Sequence, residues 1–156
     1  MVTLRQMSDP EFDRFREQSI PRYANEMVRA GQWEAEGANE LGRKLFSELL
    51  PDGKHTAGHT FLSIVADDSN PVGYLWYGIR RDSPTDAFLW ELFVVPEKRR
   101  RGYATAALVA LERDLSSLGC RTLSLHVFAH NDAARALYEK CEFECSEPER
   151  MNKRIG

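Results

Sequence analysis

Residues 96–108 read P-E-K-R-R-R-G-Y-A-T-A-A-L. They follow Phe88-Leu89-Trp90-Glu91-Leu92-Phe93-Val94-Val95, a run of aromatic and aliphatic residues suited to a strand, which stops at Pro96. Beyond the basic turn, apolar residues fall at Ala104, Ala107, Leu108, Leu111, Leu115 and Leu118. That is the spacing of one helix face, and Gly119 stands where a C-terminal cap is expected. A strand is thus expected to run through a cationic turn into a helix. The first turn of a helix leaves N–H groups without acceptors and carries the positive end of the peptide dipole. With Arg99, Arg100 and Arg101 beside it, that end is expected to hold an anion, and Gly102 lets the ligand approach the backbone. A phosphate or pyrophosphate is the natural guest. Neither the P-loop string G-x-x-x-x-G-K-[ST] nor the dinucleotide string G-x-G-x-x-G is present.

The chain around this segment has 156 residues and a net charge of −3. That length suits one domain, 1–156, with a single core. The mild acidity speaks against a surface given over to nucleic acid. No apolar run reaches the ~18 residues of a membrane helix, and the N-terminus has no signal-peptide stretch. Cys120, Cys141 and Cys145 are odd in number and form no C-x-x-C, so neither a disulfide framework nor a zinc site is indicated, and a cytoplasmic home is expected.

The pattern predicts a first strand over 3–7. A helix follows with Asp9 as N-cap and Pro10 in its first turn, which Pro21 should kink or split. A second helix is expected over 34–50, with Leu41, Leu45, Phe46 and Leu49 on one apolar face. Strands over 60–66 and 72–80 make a hairpin around a turn at 67–71, and a second turn at 83–86 leads into the 88–95 strand. After the helix that begins at Tyr103 come a strand over 121–128, a helix over 131–141, and short strands at 143–145 and 150–154. The order β-α-α-β-β-β-α-β-α-β-β implies an α/β fold, a mixed sheet of about six to seven strands flanked by helices.

Two strings carry a family resemblance. Arg99-x-x-Gly102-x-Ala104 resembles the R/Q-x-x-G-x-G/A signature of the GNAT superfamily of acyl-CoA-dependent N-acetyltransferases. Further on, Asn131, Ala134, Leu137, Tyr138 and Phe143 match the family's second signature, N-x-x-A-x-x-L-Y-x-x-x-G-F, with Glu142 in place of its glycine. The element order matches the GNAT fold, and the segment 23–60 resembles a bacterial branch of the family. The resemblance implies acetyl-CoA as co-substrate, no metal, and transfer of an acetyl group to an amine by direct attack in a ternary complex. It implies that the pyrophosphate rests on the amides of Arg100, Arg101, Gly102, Tyr103, Ala104 and Thr105. The pantetheine arm lies along Phe93, Val94 and Val95, and Arg99, Asn131, Ala134 and Tyr138 complete the cofactor site. It places the oxyanion on a backbone N–H near Val94.

The chemistry sets two further demands. An amine of pKa ~10.4 must lose a proton before it attacks. Glu91, a carboxylate inside an apolar strand, is the candidate base, its pKa expected to be raised by burial; the alternative is a structural carboxylate with a neighbouring partner. The departing thiolate needs a proton, and Tyr138, protonated at pH 7, is the candidate acid. His126 is either a second base or packed, and His55 and His59 read as a polar loop rather than a metal site. In this family the acceptor site lies against the first two helices and the final strands. Here Tyr23, Trp33, Glu34, Glu36 and Glu40 suit a cationic amine. The acceptor is a small-molecule or peptide amine, with protein N-termini, lysines, polyamines, aminoglycosides and amino acids all open. No nucleic-acid or membrane partner is expected, and the protein is expected as a monomer or homodimer. Two rival readings are a non-catalytic acyl-CoA sensor and a nucleic-acid module using Lys98, Arg99, Arg100 and Arg101.

Overall fold

A single parallel pair of strands organises the sheet. The structure, a computed structural model, describes residues 2–67 and 70–156. Its elements are β1 (Val2–Gln6), α1 (Asp9–Arg29), α2 (Ala38–Leu49), β2 (His59–Ala66), β3 (Pro71–Arg80), β4 (Ser83–Val94), α3 (Tyr103–Ser117), β5 (Thr122–His126), α4 (Asp132–Lys140), β6 (Glu144–Glu147) and β7 (Arg150–Arg154). The strands lie in the order β1-β2-β3-β4-β5-β7-β6. Every neighbouring pair is antiparallel except β4 and β5. The expected α/β order and mixed sheet are found, with seven strands.

β4 and β5 pair only from Asp86 to Leu89, against Thr122 to Leu125. Beyond Leu89 the two strands part, and the sheet opens into a wedge. β4 is bulged at the same place: Trp76 of β3 faces Glu91 and Tyr77 faces Leu89, so Trp90 is the extra residue. α3 packs Leu108, Leu111 and Leu115 on one face of the sheet with Leu75, Leu89, Leu123, Leu125 and Met151. α1 and α2 cover part of the other face, where Phe12, Phe15, Ile20 and Phe46 meet Phe61, Tyr74 and Trp76.

Several local expectations need correction. The cap of α1 is Ser8, not Asp9: the Glu11 N–H donates to Ser8 Oγ (3.3 Å) and the Ser8 N–H donates to Glu11 Oε1 (2.8 Å). This reciprocal pair fixes the start one residue earlier than expected. Pro21 does not split α1, which runs unbroken to Arg29. Losing one intrahelical hydrogen bond does not outweigh burial of Ile20 and Ala24 on either side of it. α2 begins at Ala38, and its buried stripe is Ala38, Gly42 and Phe46, while Leu41 (46 % exposed) and Leu45 (39 % exposed) face outward. Small residues win that face because α2 crosses α1 closely: a Cβ at Gly42 would stand 3.3 Å from Ile20 Cγ2. Residues 83–86 extend β4, and the reversal falls between Arg80 and Ser83. The turn expected at 67–71 includes Asp68 and Ser69, which lie outside the described residues. Glu142 adopts the left-handed conformation (φ 71°) that a glycine takes freely, so the turn after α4 is kept with about 1–2 kcal/mol of strain.

Glu11 also locks β1 to α1. Arg5 grips it with two bonds, Nη1 to Oε1 at 2.9 Å and Nη2 to Oε2 at 3.0 Å. That guanidinium first, and the Ser8 N–H after it, outweigh burial and hold the carboxyl well below its ordinary value, down to about 2. The stability it contributes is present above pH 4.5 and is lost as the pH falls from there toward 2. Glu11→Gln should therefore lower the unfolding free energy by about 2 kcal/mol at pH 7 and much less at pH 2. Denaturant unfolding at the two pH values measures this, and an equal loss at both rules the ion pair out as the source.

Candidate functional site

The end of β4 is fixed from three sides. Gly73 of β3 faces Val94, and a Cβ there would fall 2.1 Å from the Phe93 carbonyl oxygen, so only glycine fits this approach. The Val95 N–H donates to the Val72 carbonyl (2.9 Å). Arg99 folds back so that its Nε–H donates to the Val94 carbonyl (2.8 Å), with the guanidinium carbon 5.2 Å from the centre of the Phe93 ring. The chain then turns through Arg100 (φ 63°) and Gly102 (φ 82°) into α3. Gly102 occupies the N-cap position and offers no side chain, so the first amides of α3 have no side-chain cap.

Those amides border a cavity of about 440 Å³ lined by Val94, Lys98, Arg99, Arg100, Gly102, Tyr103, Ala104, Thr105, Leu137 and Lys140. The structure thus brings together most of the residues expected around an anion. Lys98, Arg99 and Arg100 all line this cavity, with Arg99 and Arg100 still exposed to solvent. Phe93, Val95, Arg101, Asn131, Ala134 and Tyr138 are not among the lining residues. Asn131 caps α4, its Oδ1 accepting from the Ala134 N–H (3.1 Å). Lys140 had no place in the motif reading. Its signal was the spacing from Leu137 to Lys140, one helical turn that sets a cation beside the apolar wall.

Tyr138 is buried on α4, edge-on to Phe143 with ring centres 5.5 Å apart. Burial pushes its phenol well above the usual range, and the nearby Cys141 and Glu91 add to the shift. Glu91 lies on the α1 side of the wedge. Ser19 Oγ donates to its Oε1, and Arg22 Nη2 stands 2.9 Å from its Oε2. The Arg22 guanidinium also lies 3.7 Å above the Phe93 ring. Sequence reasoning named neither Ser19 nor Arg22. The available signal was helical: Ser19, Arg22, Tyr23 and Glu26 form an i, i+3, i+4, i+7 stripe.

That stripe spans the wedge. Ser19 and Arg22 hold β4, Tyr23 meets Phe128 beyond β5 (6.4 Å between ring centres), and Glu26 Oε2 accepts from His130 Nε2 (2.5 Å). Trp33 stands edge-on to Tyr23 (5.7 Å). Glu34, Glu36 and Glu40, grouped with them in sequence, are exposed. His126 pairs with Glu149 (3.4 Å) and sets its ring edge-on to Phe128 (4.9 Å). His59 Nδ1 accepts from Trp76 Nε1–H (3.0 Å), and burial lowers the pKa of its imidazole.

The family model for the Acetyltransferase (GNAT) family matches residues 21–143. The chain belongs to the GNAT family of acetyltransferases. It is 38 % identical over 144 residues to the Bacillus subtilis (strain 168) uncharacterized N-acetyltransferase YycN, covering 92 % of each chain. The crystal structure of YycN superposes with a TM-score of 0.91 at 37 % identity over 94 % of each chain. YdgE of the same organism, also named an N-acetyltransferase, is 31 % identical over 98 % of each chain. The PaiA N-acetyltransferase of Thermoplasma acidophilum, solved in complex with coenzyme A, shares the fold at 20 % identity, with a TM-score of 0.71 and 99 % of each chain covered. As a GNAT member the protein is an acyltransferase enzyme. Among the described residues no helix is long and apolar enough to cross a membrane. No group of three or more potential ligands among them is placed to hold a metal ion.

Proposed function

We propose that the protein transfers the acetyl group of acetyl-CoA to a primary amine by direct attack in a ternary complex. The observation that carries this reading is the cavity at the start of α3, which joins uncapped amides to Lys98, Arg99, Arg100 and Lys140 beside the open edge of β4. The diphosphate of coenzyme A is matched there by dipole, amides and cations together. The pantetheine amides lie along the part of β4 that β5 leaves unpaired, pairing as another strand would. A structural neighbour that binds coenzyme A shares this fold.

The acceptor enters from the α1 face of the wedge. Glu91 takes a proton from the amine directly or through water, and Ser19 and Arg22 hold that carboxylate in place. The amine nitrogen bonds to the thioester carbon while the C–S bond breaks. A backbone N–H near Val94 stabilises the oxyanion, and Tyr138 gives its phenolic proton to the departing sulfur. Tyr138 then recovers a proton from water as Glu91 releases one, so the net proton moves from nitrogen to sulfur. The acidic and aromatic groups around the wedge mouth, Glu26, Glu91, Glu149, Tyr23 and Phe128, draw in a cationic amine.

A panel of primary amines, assayed for thiol release from acetyl-CoA, tests this reading. Release should depend on the amine and yield equimolar N-acetyl product. A protein that binds no acetyl-CoA by calorimetry, or releases thiol at the same rate with and without amine, does not perform this reaction.

A further inference from the structure

The α1-side face of the sheet is only half covered. Outside the cover of α1 and α2, residues of β3, β4, β5 and β7 line a groove of about 780 Å³, a volume suited to a small organic ligand. Trp90, the bulge residue next to Glu91, is 42 % exposed although β4 is the central strand. Its indole lies flat on Trp76 (ring centres 5.2 Å apart, 16° between planes) with Phe88 edge-on at 4.9 Å. The fold makes room for it: a Cβ at Gly78 would stand 3.0 Å from Trp90 Nε1. His59 forms the wall. Because the Trp76 indole can only donate, His59 Nδ1 accepts, and the neutral ring keeps Nε2–H as a donor.

The far side of the groove is polar and carries Arg80, Arg81 and Arg150 together with Asp82 and Asp86, of which Asp86 accepts from Ser83 Oγ. Asn152 Oδ1 accepts from Ser124 Oγ (2.6 Å) and from Arg150 Nε (3.4 Å), which holds the guanidinium of Arg150 at the groove edge. Arg80 is paired with Asp82 (3.0 Å). Arg81 and Arg150 have no ion-pair partner among the described residues, although both line the groove. Trp90, the chain neighbour of Glu91, thus gives a flat aromatic shelf in the same groove as two guanidinium groups that have no ion-pair partner among the described residues. Glu91 itself lies outside the groove lining, bonded to Ser19 and Arg22.

We propose that this groove is the distal subsite for the acceptor, and that it takes a planar, aromatic group bearing a carboxylate. The amine end meets Glu91, the ring stacks on Trp90, and the carboxylate pairs with Arg150 or Arg81. This rests on the acetyltransferase reading and narrows its acceptor from any amine to a zwitterionic aromatic one.

Calorimetry with three primary amines tests it, on the protein alone and loaded with coenzyme A. 4-(Aminomethyl)benzoate carries ring and carboxylate, benzylamine the ring only, and putrescine neither. The first should bind at least about tenfold more tightly than the others. Arg150→Gln and Arg81→Gln together should bring it down to the level of benzylamine, and Trp90→Leu should weaken both aromatic amines. Equal binding of the three amines, tightest binding by putrescine, no detectable binding, or a preference that survives the arginine substitutions overturns the proposal. Failure of the acetyltransferase reading shows separately, as no acetyl-CoA binding by the unaltered protein, while the groove measurement on the free protein still stands.

Discussion

Gly102→Asp should abolish useful binding of acetyl-CoA while leaving the protein folded. Gly102 has a φ of +82°, and a Cβ placed on it meets no heavy atom within 4 Å. The cost to the fold is therefore left-handed backbone strain of about 1–2 kcal/mol, and aspartate is among the side chains that tolerate that region best. The new carboxylate would occupy the mouth of the cavity that Arg99 and Arg100 line. It would bring negative charge against the diphosphate and compete for the same amides of α3. Two like charges about 4 Å apart near a protein surface repel by about 4 kcal/mol, so affinity should fall on the order of 10²–10³-fold. Gly102→Ala adds bulk in open space without charge, and its loss should stay near tenfold or below. Calorimetry with acetyl-CoA measures both, beside a thermal melt. Undiminished affinity in a folded Gly102→Asp protein would mean that the diphosphate binds elsewhere.

Tyr138→Phe should separate turnover from binding. The phenylalanine ring keeps the edge-on packing against Phe143, so α4 stays in place with Leu137 and Lys140 on the cavity wall. What is lost is one proton donor, and general acid help is typically worth on the order of 10²–10⁴-fold. Turnover should drop by about 10²-fold or more, while affinity for acetyl-CoA changes less than about threefold. The raised pKa gives a second readout. In the folded protein the phenol stays protonated past pH 10, whereas in the unfolded chain it ionises near its ordinary value of 10. Its contribution to stability is thus whole below pH 10 and is lost as the pH rises beyond it, a loss the variant should not show. An unchanged kcat in Tyr138→Phe would remove the acid assignment.

The cationic turn and helix start that border the cavity were legible because their chemistry is local. A strand end, a cationic turn and a helix start follow one another within residues 94–105, and each announces itself by residue type. The same holds for Asn131 at the head of α4. Glu91 was legible as a carboxylate in an apolar strand, but its surroundings were not. Glu91 meets Ser19 and Arg22 across 72 and 69 residues, and no short-range spacing encodes such pairs. The groove beside Trp90 depends on the bulge in β4 and on the register that brings Gly78 beneath the indole. Leu41 and Leu45 misled for a related reason. Hydrophobicity marks a face, but the tight crossing of α1 and α2 selects small side chains instead. The turn assigned to 83–86 failed because Ser and Pro signal reversal only where no neighbouring strand claims the backbone, and β5 pairs there from Asp86.

β4 and β5 run parallel. A chain leaving the top of β4 must travel back to the bottom of β5, and α3 is that return path. Its positive pole therefore falls at the mouth of the split by topology alone, and no drift in sequence relocates it while the connectivity lasts. The opposite mouth is assembled from pieces that share no such obligation: a stripe on α1, the link before α2, the residues after β5. They meet through side chains, Tyr23 against Trp33 and Phe128 and Glu26 against His130, and not through a fixed backbone connection. Substitutions on that side can therefore change its lining while the positive pole of α3 stays where the crossover puts it.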